Sequence, residues 1–397
     1  MAGITIGQKV RFYREKRGLK QVVLARMVGV SEDYISMVER GVRTPSSQLT
    51  HKIARAVRVP SSVLFDDRPE EDDAGRHAGV DPVRRALWDH ASKRATPNLE
   101  ELRTRVEAAW VHWQAPRRSY RSVGESVAHL ITDVEQAVRA YRSEDGDRRR
   151  EAHRIAADLY GLSRTYTKRS GAIDLAILTA DRQTRHAEST DDPVRIGAAR
   201  WNLGHALLGD GQPEAAEDIA LQSADELEGL IERDPDARAM YGALLLVATV
   251  ASVRSGDHHT ARRRLDEVVE PTARHVGETN VQWTSFGPAN VALHAVTIEA
   301  DKWEPAAAIR LADRVAVEAF ASAERAFTFH LELARCYEMR NEDHGVLVEL
   351  LQAEHLSADD MKLGRGSHEL VNSLMNRARP SYAHQVRALA DRIGVYG

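Results

Sequence analysis

The chain has 397 residues, 43% of them hydrophobic and 29% charged, with a formal net charge of −4. That length exceeds what one core usually organises, and the composition excludes a disordered or collagen-like chain, so a globular protein of more than one domain is expected. No run of about 18 apolar residues is evident, and the start MAGITIGQKV lacks the apolar core of a signal peptide; together these predict a cytosolic protein with no membrane partner. The single Cys336 rules out an intramolecular disulfide, and within LELARCYEM it reads as small packing material.

Charge is unevenly distributed. Residues 1–65 hold twelve Lys and Arg against four Asp and Glu, whereas residues 66–81, DDRPEEDDAGRHAGVD, hold seven acids against two Arg. A small basic unit, an acidic flexible linker and a large near-neutral body follow from this pattern. The basic unit suits a phosphate backbone.

Helical periodicity begins at Ile6 and stops at Gly18, and a second helix runs from Gln21 to Val28 before Gly29-Val30. Ser31 is placed as N-cap of a third helix, Glu32 to Arg40, closed by Gly41. A fourth is expected over Gln48–Val57 and a short fifth from Pro60 to Phe65. Short helices with a tight Gly turn between the second and third form a helix-turn-helix unit. Val30, Ile35 and Val38 are expected in its core, with Val23 inward and Val22 outward.

These residues carry a specific resemblance. Leu19, Gln21, Leu24, Ala25, Gly29-Val30-Ser31, Tyr34-Ile35-Ser36, Glu39-Arg40-Gly41, Arg43, Pro45, Ile53-Ala54, Ala56 and Leu64-Phe65 match the pattern of the phage-repressor-like, XRE-type DNA-binding domain, so residues 6–65 resemble that family. The resemblance implies that the third helix enters the major groove and that Gln21 touches the backbone. Ser31, Glu32, Asp33, Tyr34, Ser36, Met37 and Arg40 then form the groove-facing set, with Arg14, Arg17, Arg43 and Lys52 as phosphate contacts. The family often carries Arg or Lys where this chain has Glu32 and Met37, and Glu32 with Asp33 puts two acids at the tip of that helix. Two readings stand: they interact with the positive end of their own helix, or one of them accepts a hydrogen bond from a cytosine amino group.

From Val80 onward the pattern is helix after helix, and it repeats. Breaks at Gly171, Gly211, Gly256, Asp301 and Asn341 are 40, 45, 45 and 40 residues apart. Five residues after each stands Ala176, Ala216, Ala261, Ala306 or Val346. The copy WNLGHALLGDGQPEAAEDIAL has the spacing of a tetratricopeptide repeat, in which paired helices need small residues where they touch. The fold class is therefore all-α, a helix-turn-helix domain plus an α-solenoid of such hairpins. Its expected divisions are 1–65, the linker 66–81, a sensor and dimerisation domain over 82–356, and a helical cap over 357–397. The whole resembles XRE-type regulators with a C-terminal repeat domain, of the kind found in actinomycetes.

Repeat register places Trp201, Asn202 and His205 on the inner face of the best hairpin, where an Asn can grip a peptide backbone through donor and acceptor together. Trp283, Phe286 and Asn290 in TNVQWTSFGPAN and Arg335 in the last repeat complete the candidate ligand set. Core packing is the competing reading for the aromatic residues, and capping for the asparagines. No phosphate-cradling Gly loop, His-Glu-x-x-His, Cys-x-x-Cys or nucleophile elbow occurs, so no enzyme, metal or cofactor is expected. Ser367 in GRGSHE reads as a helix N-cap. The expectation is a dimeric operator-binding transcription regulator controlled by a peptide or small-molecule effector. The alternative is a repeat scaffold that binds a partner protein while the N-terminal domain tethers it to DNA.

Overall fold

The computed structural model describes residues 6–43, 45–57, 79–89, 96–144 and 146–395, without the side chains of Ser47, Gln48 and His51. It divides into two compact units, residues 1–75 and residues 76–397.

The N-terminal unit contains, among the described residues, α1 (Ile6–Lys16), α2 (Gln21–Val28), α3 (Glu32–Glu39) and α4 (Ser47–Ala56). The expected boundaries hold to within two residues; the fifth helix and most of the linker lie outside the described residues. Gly29 closes α2 at φ 76°, a left-handed conformation that a side chain disfavours, and its N–H returns to the Ala25 carbonyl. Ser31 caps α3 as expected, its hydroxyl accepting from the Tyr34 N–H at 3.2 Å. Val10, Leu24, Ile35, Val38, Ile53 and Val57 fill the core with no exposed surface. Val30 only borders that core. Val23 was expected inward and is instead 40% exposed, because Leu24, Ala25 and Val28 already define the inward stripe of α2.

The second unit is helical throughout, with no strand among its described residues. It opens with α5 (Val80–Trp88), α6 (Leu99–Gln114) and α7 (Tyr120–Ala140). Val80, Val83 and Leu87 are fully buried in the body's first core, so the last residues assigned to the linker already belong to a packed helix. Hairpins follow: α8 (Asp147–Arg169) with α9 (Ile173–Glu188), and α10 (Pro193–Gly209) with α11 (Pro213–Glu228). In the third, α12 (Pro235–Ser255) packs on α13 (His258–Arg264), which runs through a π-turn at Leu265–Val269 into α14 (Glu270–Val276). The last two pair α15 (Pro288–Asp301) with α16 (Pro305–Ala312), and α17 (Ala323–Met339) with α18 (Asp343–Leu356).

Four of the five predicted breaks fall at the bend of a hairpin, and the fifth, Asp301, is the last residue of α15. Gly171, Gly211, Gly256 and Asn341 take positive φ there, and Ala176, Ala216, Ala261 and Val346 five residues on are fully buried. In the fourth hairpin the register shifts by two. Its left-handed residue is Trp303 at φ 64°, and Ala308, not Ala306, is the fully buried small residue. Helix α12, 21 residues long, is apolar enough to cross a membrane by composition, but 78% of its most apolar 18-residue window is buried between its neighbours, as a central solenoid helix requires.

The expected cap comprises α19 (Ala358–Leu363), α20 (Arg365–Arg377) and α21 (Ala383–Ile393). Gly364, not Ser367, occupies the N-cap of α20, and Ser367 is buried in its first turn. The cap packs on α17 and α18 through Leu350, Val371, Leu374 and Leu389. It also meets the beginning of the body. Arg118 and Asp360 form a buried ion pair at 2.7 Å, the Tyr120 hydroxyl donates to Asp360 at 2.6 Å, and the Arg117 N–H reaches the Leu356 carbonyl at 2.8 Å.

Candidate nucleic-acid interface and inner cleft

Helix α3 leaves Ser31, Glu32, Asp33 and Arg40 exposed and Ser36 and Met37 half-buried, an arrangement that can enter a groove. Tyr34 is a correction. It stands four residues before Val38 and next to Ile35, so it turns inward, is 8% exposed, and lies under the Arg43 guanidinium at 5.6 Å. Arg14 is a second correction. Its guanidinium is buried, bonded to both carboxylate oxygens of Glu39 at 2.5 and 2.8 Å and to the Leu19 carbonyl at 2.8 Å, which removes it from any phosphate. The Glu39 bond, against the opposing cost of burial, holds the Arg14 pKa above its ordinary value.

The same Glu39 accepts from the Gln21 amide at 2.7 Å. Gln21 is thereby fixed at the start of α2, where Lys20 supplies no side-chain cap. An uncapped helix N-terminus with a held amide is suited to an anionic oxygen. Arg17 is exposed, and Arg43 and Lys52 are half-buried, at positions a backbone contact permits.

In the second unit, the predicted Trp201, His205, Phe286 and Asn290 line one narrow cleft together with His294 and Arg325. Its free volume is about 10 Å³, room for about one water molecule. The Trp201 and His205 rings meet edge to face at 4.4 Å. Phe286 is fully buried against Gly242, where any added Cβ would collide with the ring. Asn202 is 2% exposed and sits behind the cleft near Gln183, with its Oδ1 unpaired; the Oδ1 of Asn290 is unpaired too.

Two predicted ligand residues lie elsewhere. Trp283 is stacked on Trp110 at 5.3 Å and an interplanar angle of 4°, held there by a loop in which Gln282, Trp283 and Ser285 all take positive φ. Arg335 is engaged by Asp301 at 2.5 Å and Glu332 at 3.3 Å.

Sequence reading missed the charged residues around this cleft. Arg164 is 4% exposed, its guanidinium 5.3 Å from the Trp201 ring, and burial lowers its pKa to about 9. Lys168, one turn further along α8, is driven well below the lysine range by burial and then by Arg164 and Arg254. Burial, followed by Lys168 and Arg164, likewise keeps His205 neutral, and burial followed by Arg325 and Arg254 takes His294 down to about 3. Glu324 resists its own burial under the fields of Arg169 and Arg325 and stays ionised, near 2. The available signal was i, i+4 spacing: Arg164 with Lys168, Trp201 with His205, Asn290 with His294.

A basic helix-turn-helix unit with an exposed polar recognition helix, joined to a helical-repeat body with a buried polar cleft, defines a DNA-binding regulator. The helix-turn-helix family HTH_3 matches residues 10–64. The transcriptional regulator SlrR of Bacillus subtilis is 30% identical over 139 residues, covering 31% of this chain and 91% of SlrR. An uncharacterized regulator of Mycobacterium tuberculosis is 43% identical over 59 residues, 15% of this chain and 42% of that protein. Among solved structures, Bacillus thuringiensis PlcR in complex with the peptide PapR7 and DNA aligns at 12% identity and a TM-score of 0.27, over 70% of this chain and all of PlcR. The chain belongs to the helix-turn-helix transcriptional regulators of the XRE type, and its activity is sequence-specific binding of DNA.

Proposed function

We propose that this regulator binds its operator as a homodimer in the cytoplasm, and that an effector in the inner cleft of the repeat body controls it. Residues 1–65 read DNA through Gln21, Ser31, Glu32, Asp33, Ser36, Met37 and Arg40, with Arg17, Arg43 and Lys52 on phosphates. One observation carries the effector reading. Asn290 in the cleft wall, Arg164 over the Trp201 ring and Asn202 next to Trp201 in the chain are each more than nine-tenths buried, and each holds an unpaired polar atom. Buried polar groups are normally satisfied, so such a cluster is consistent with a place kept for a ligand.

The dimer contact is assigned to the start of the body. Trp88 and Val111, on α5 and α6, are 59% and 61% exposed, whereas the apolar residues of the cap are turned into its own core. A single half-site gives poor discrimination against genomic DNA, which a two-fold dimer on a palindrome overcomes. Sedimentation of the full chain tests this: a dimer that Trp88→Ser and Val111→Ser convert to a monomer supports it, and a wild-type monomer at micromolar concentration refutes it.

The effector is tested by native mass spectrometry of the chain purified from its host, together with operator affinity before and after its release. One feature favours the scaffold alternative: Val247, Val250 and Phe286 fill much of the cleft, leaving only its small free volume. A chain that releases no molecule yet co-purifies stoichiometrically with one protein would establish that reading instead.

A further inference from the structure

We infer that the inner cleft is an anion site, taking a ligand with a carboxylate or phosphate group that sits among Arg164, Lys168 and Arg325 while its apolar part lies toward Trp201. This rests on the body being the effector domain and adds the chemistry of the effector.

Several cations of the body are already matched. Arg169 lies 3.4 Å from Glu324 and 3.5 Å from Asp360, Arg335 is held by Asp301, and Arg254 donates to the Leu208 carbonyl at the end of α10. Arg164, Lys168 and Arg325 differ. Among the described residues none of the three side chains makes a hydrogen bond or ion pair, although Arg164 is 4% exposed and its Nε is buried without a partner. Among the described residues the acid whose field acts on all three is Glu324, and Arg169 already lies beside it.

Cations brought together where Arg164 is buried and Lys168 and Arg325 are half-buried repel one another and lose part of their hydration, so the arrangement is unfavourable while the cleft is empty. An arriving anion reverses both effects. The remaining groups complete the receptor: the half-buried His205 and His294 are neutral donors, Asn290 offers an amide, and Trp201 presents an aromatic face already covered on one side by Arg164. Since the free space holds about one water, an anionic head group enters by displacing that volume and shifting side chains, not by filling a ready cavity.

The test uses the full chain and its thermal unfolding at fixed ionic strength, with chloride replaced stepwise by inorganic phosphate or by acetate. Saturating anion is expected to raise Tm by about 5 °C. Lys168→Met and Arg325→Met should each abolish that response and, in chloride, raise Tm above wild type, since each removes an unpaired cation. Arg310→Met, on an exposed outer position, should leave the response intact. A response to acetate alone assigns a carboxylate ligand, and one to phosphate alone assigns a phosphate. The inference is overturned if chloride serves as well as either anion, if the two Met variants keep the full response, or if they lower Tm in chloride. Recovery of a neutral molecule from the chain with no anion response would retain the effector reading and discard the anion.

Discussion

Arg14 of α1 and Glu39 of α3 are joined by two hydrogen bonds, at 2.5 and 2.8 Å, in the interior of the DNA-binding unit, and Gln21 of α2 bonds the same carboxylate at 2.7 Å. One acid therefore ties three helices and sets the angle at which α3 is presented. Breaking such a pair leaves a buried charge uncompensated, which costs about 3–5 kcal/mol. Arg14→Ala should greatly accelerate hydrogen exchange across residues 6–57 and abolish operator binding. Arg17→Ala should leave exchange unchanged, weaken binding to all sequences alike, and lower the salt slope by about one. If Arg14→Ala exchanges like wild type, the pair is not what holds the unit together.

Asp33 and Glu32 are exposed in the first turn of α3 and make no cap of their own, Ser31 having that role. If either reads a cytosine amino group, its Ala variant should relax preference at one base pair by about 1–3 kcal/mol without losing overall affinity. A selection experiment on randomised operators measures this. An unchanged base profile accompanied by a less stable unit would assign both acids to the helix dipole.

Gly242 and Phe286 are matched in shape, the ring occupying the place of a missing side chain. Gly242→Ala should cost about 1–3 kcal/mol through overpacking, and Phe286→Ala about 3–5 kcal/mol through the cavity left behind. Urea unfolding followed by tryptophan fluorescence, with all six Trp in the second unit, gives both values. Near-wild-type midpoints for both variants would show that Phe286 is not part of the core.

His186 and His294 should make the body acid-sensitive. Burial, reinforced by His153, lowers His186 to about 4, and burial with Arg325 lowers His294 to about 3, both from 6.5. Below pH 6.5 the unfolded chain takes up protons that these folded imidazoles refuse, so stability is complete above that pH and declines as pH falls towards 4. Tm recorded from pH 7.5 to 4.5 should drop more steeply in wild type than in His186→Asn with His294→Asn. Parallel curves would exclude these two residues as the cause.

The elements were legible because the local signals are strong. Gly29, Ser31 and the hairpin glycines punctuate helices whose apolar faces follow one period. The fourth hairpin misled because its left-handed residue is Trp303, a type that seldom marks a turn. Arg14 and Tyr34 were misassigned for a related reason: their residue types suit a phosphate or a groove, and only packing against Glu39 and Val38 turns them inward. In the cleft, register found Trp201, His205 and Asn290. It could not find Arg325 or Arg164, which are distant in sequence and acquire significance only through the acids they lack.

The ion pair between Arg118 and Asp360 spans 242 residues and changes what kind of object the body is. A stack in which each repeat touches only its neighbours frays from its ends and tolerates shortening one unit at a time. Here the start of α7 and helix α19 are fastened to each other, so the stack is tied across its length. Closing so long a loop costs entropy that only the finished contacts repay, which makes the clasp a late event in folding. Removing the cap then does not trim a ladder by one rung; it unties the start of α7 and exposes the buried Arg118.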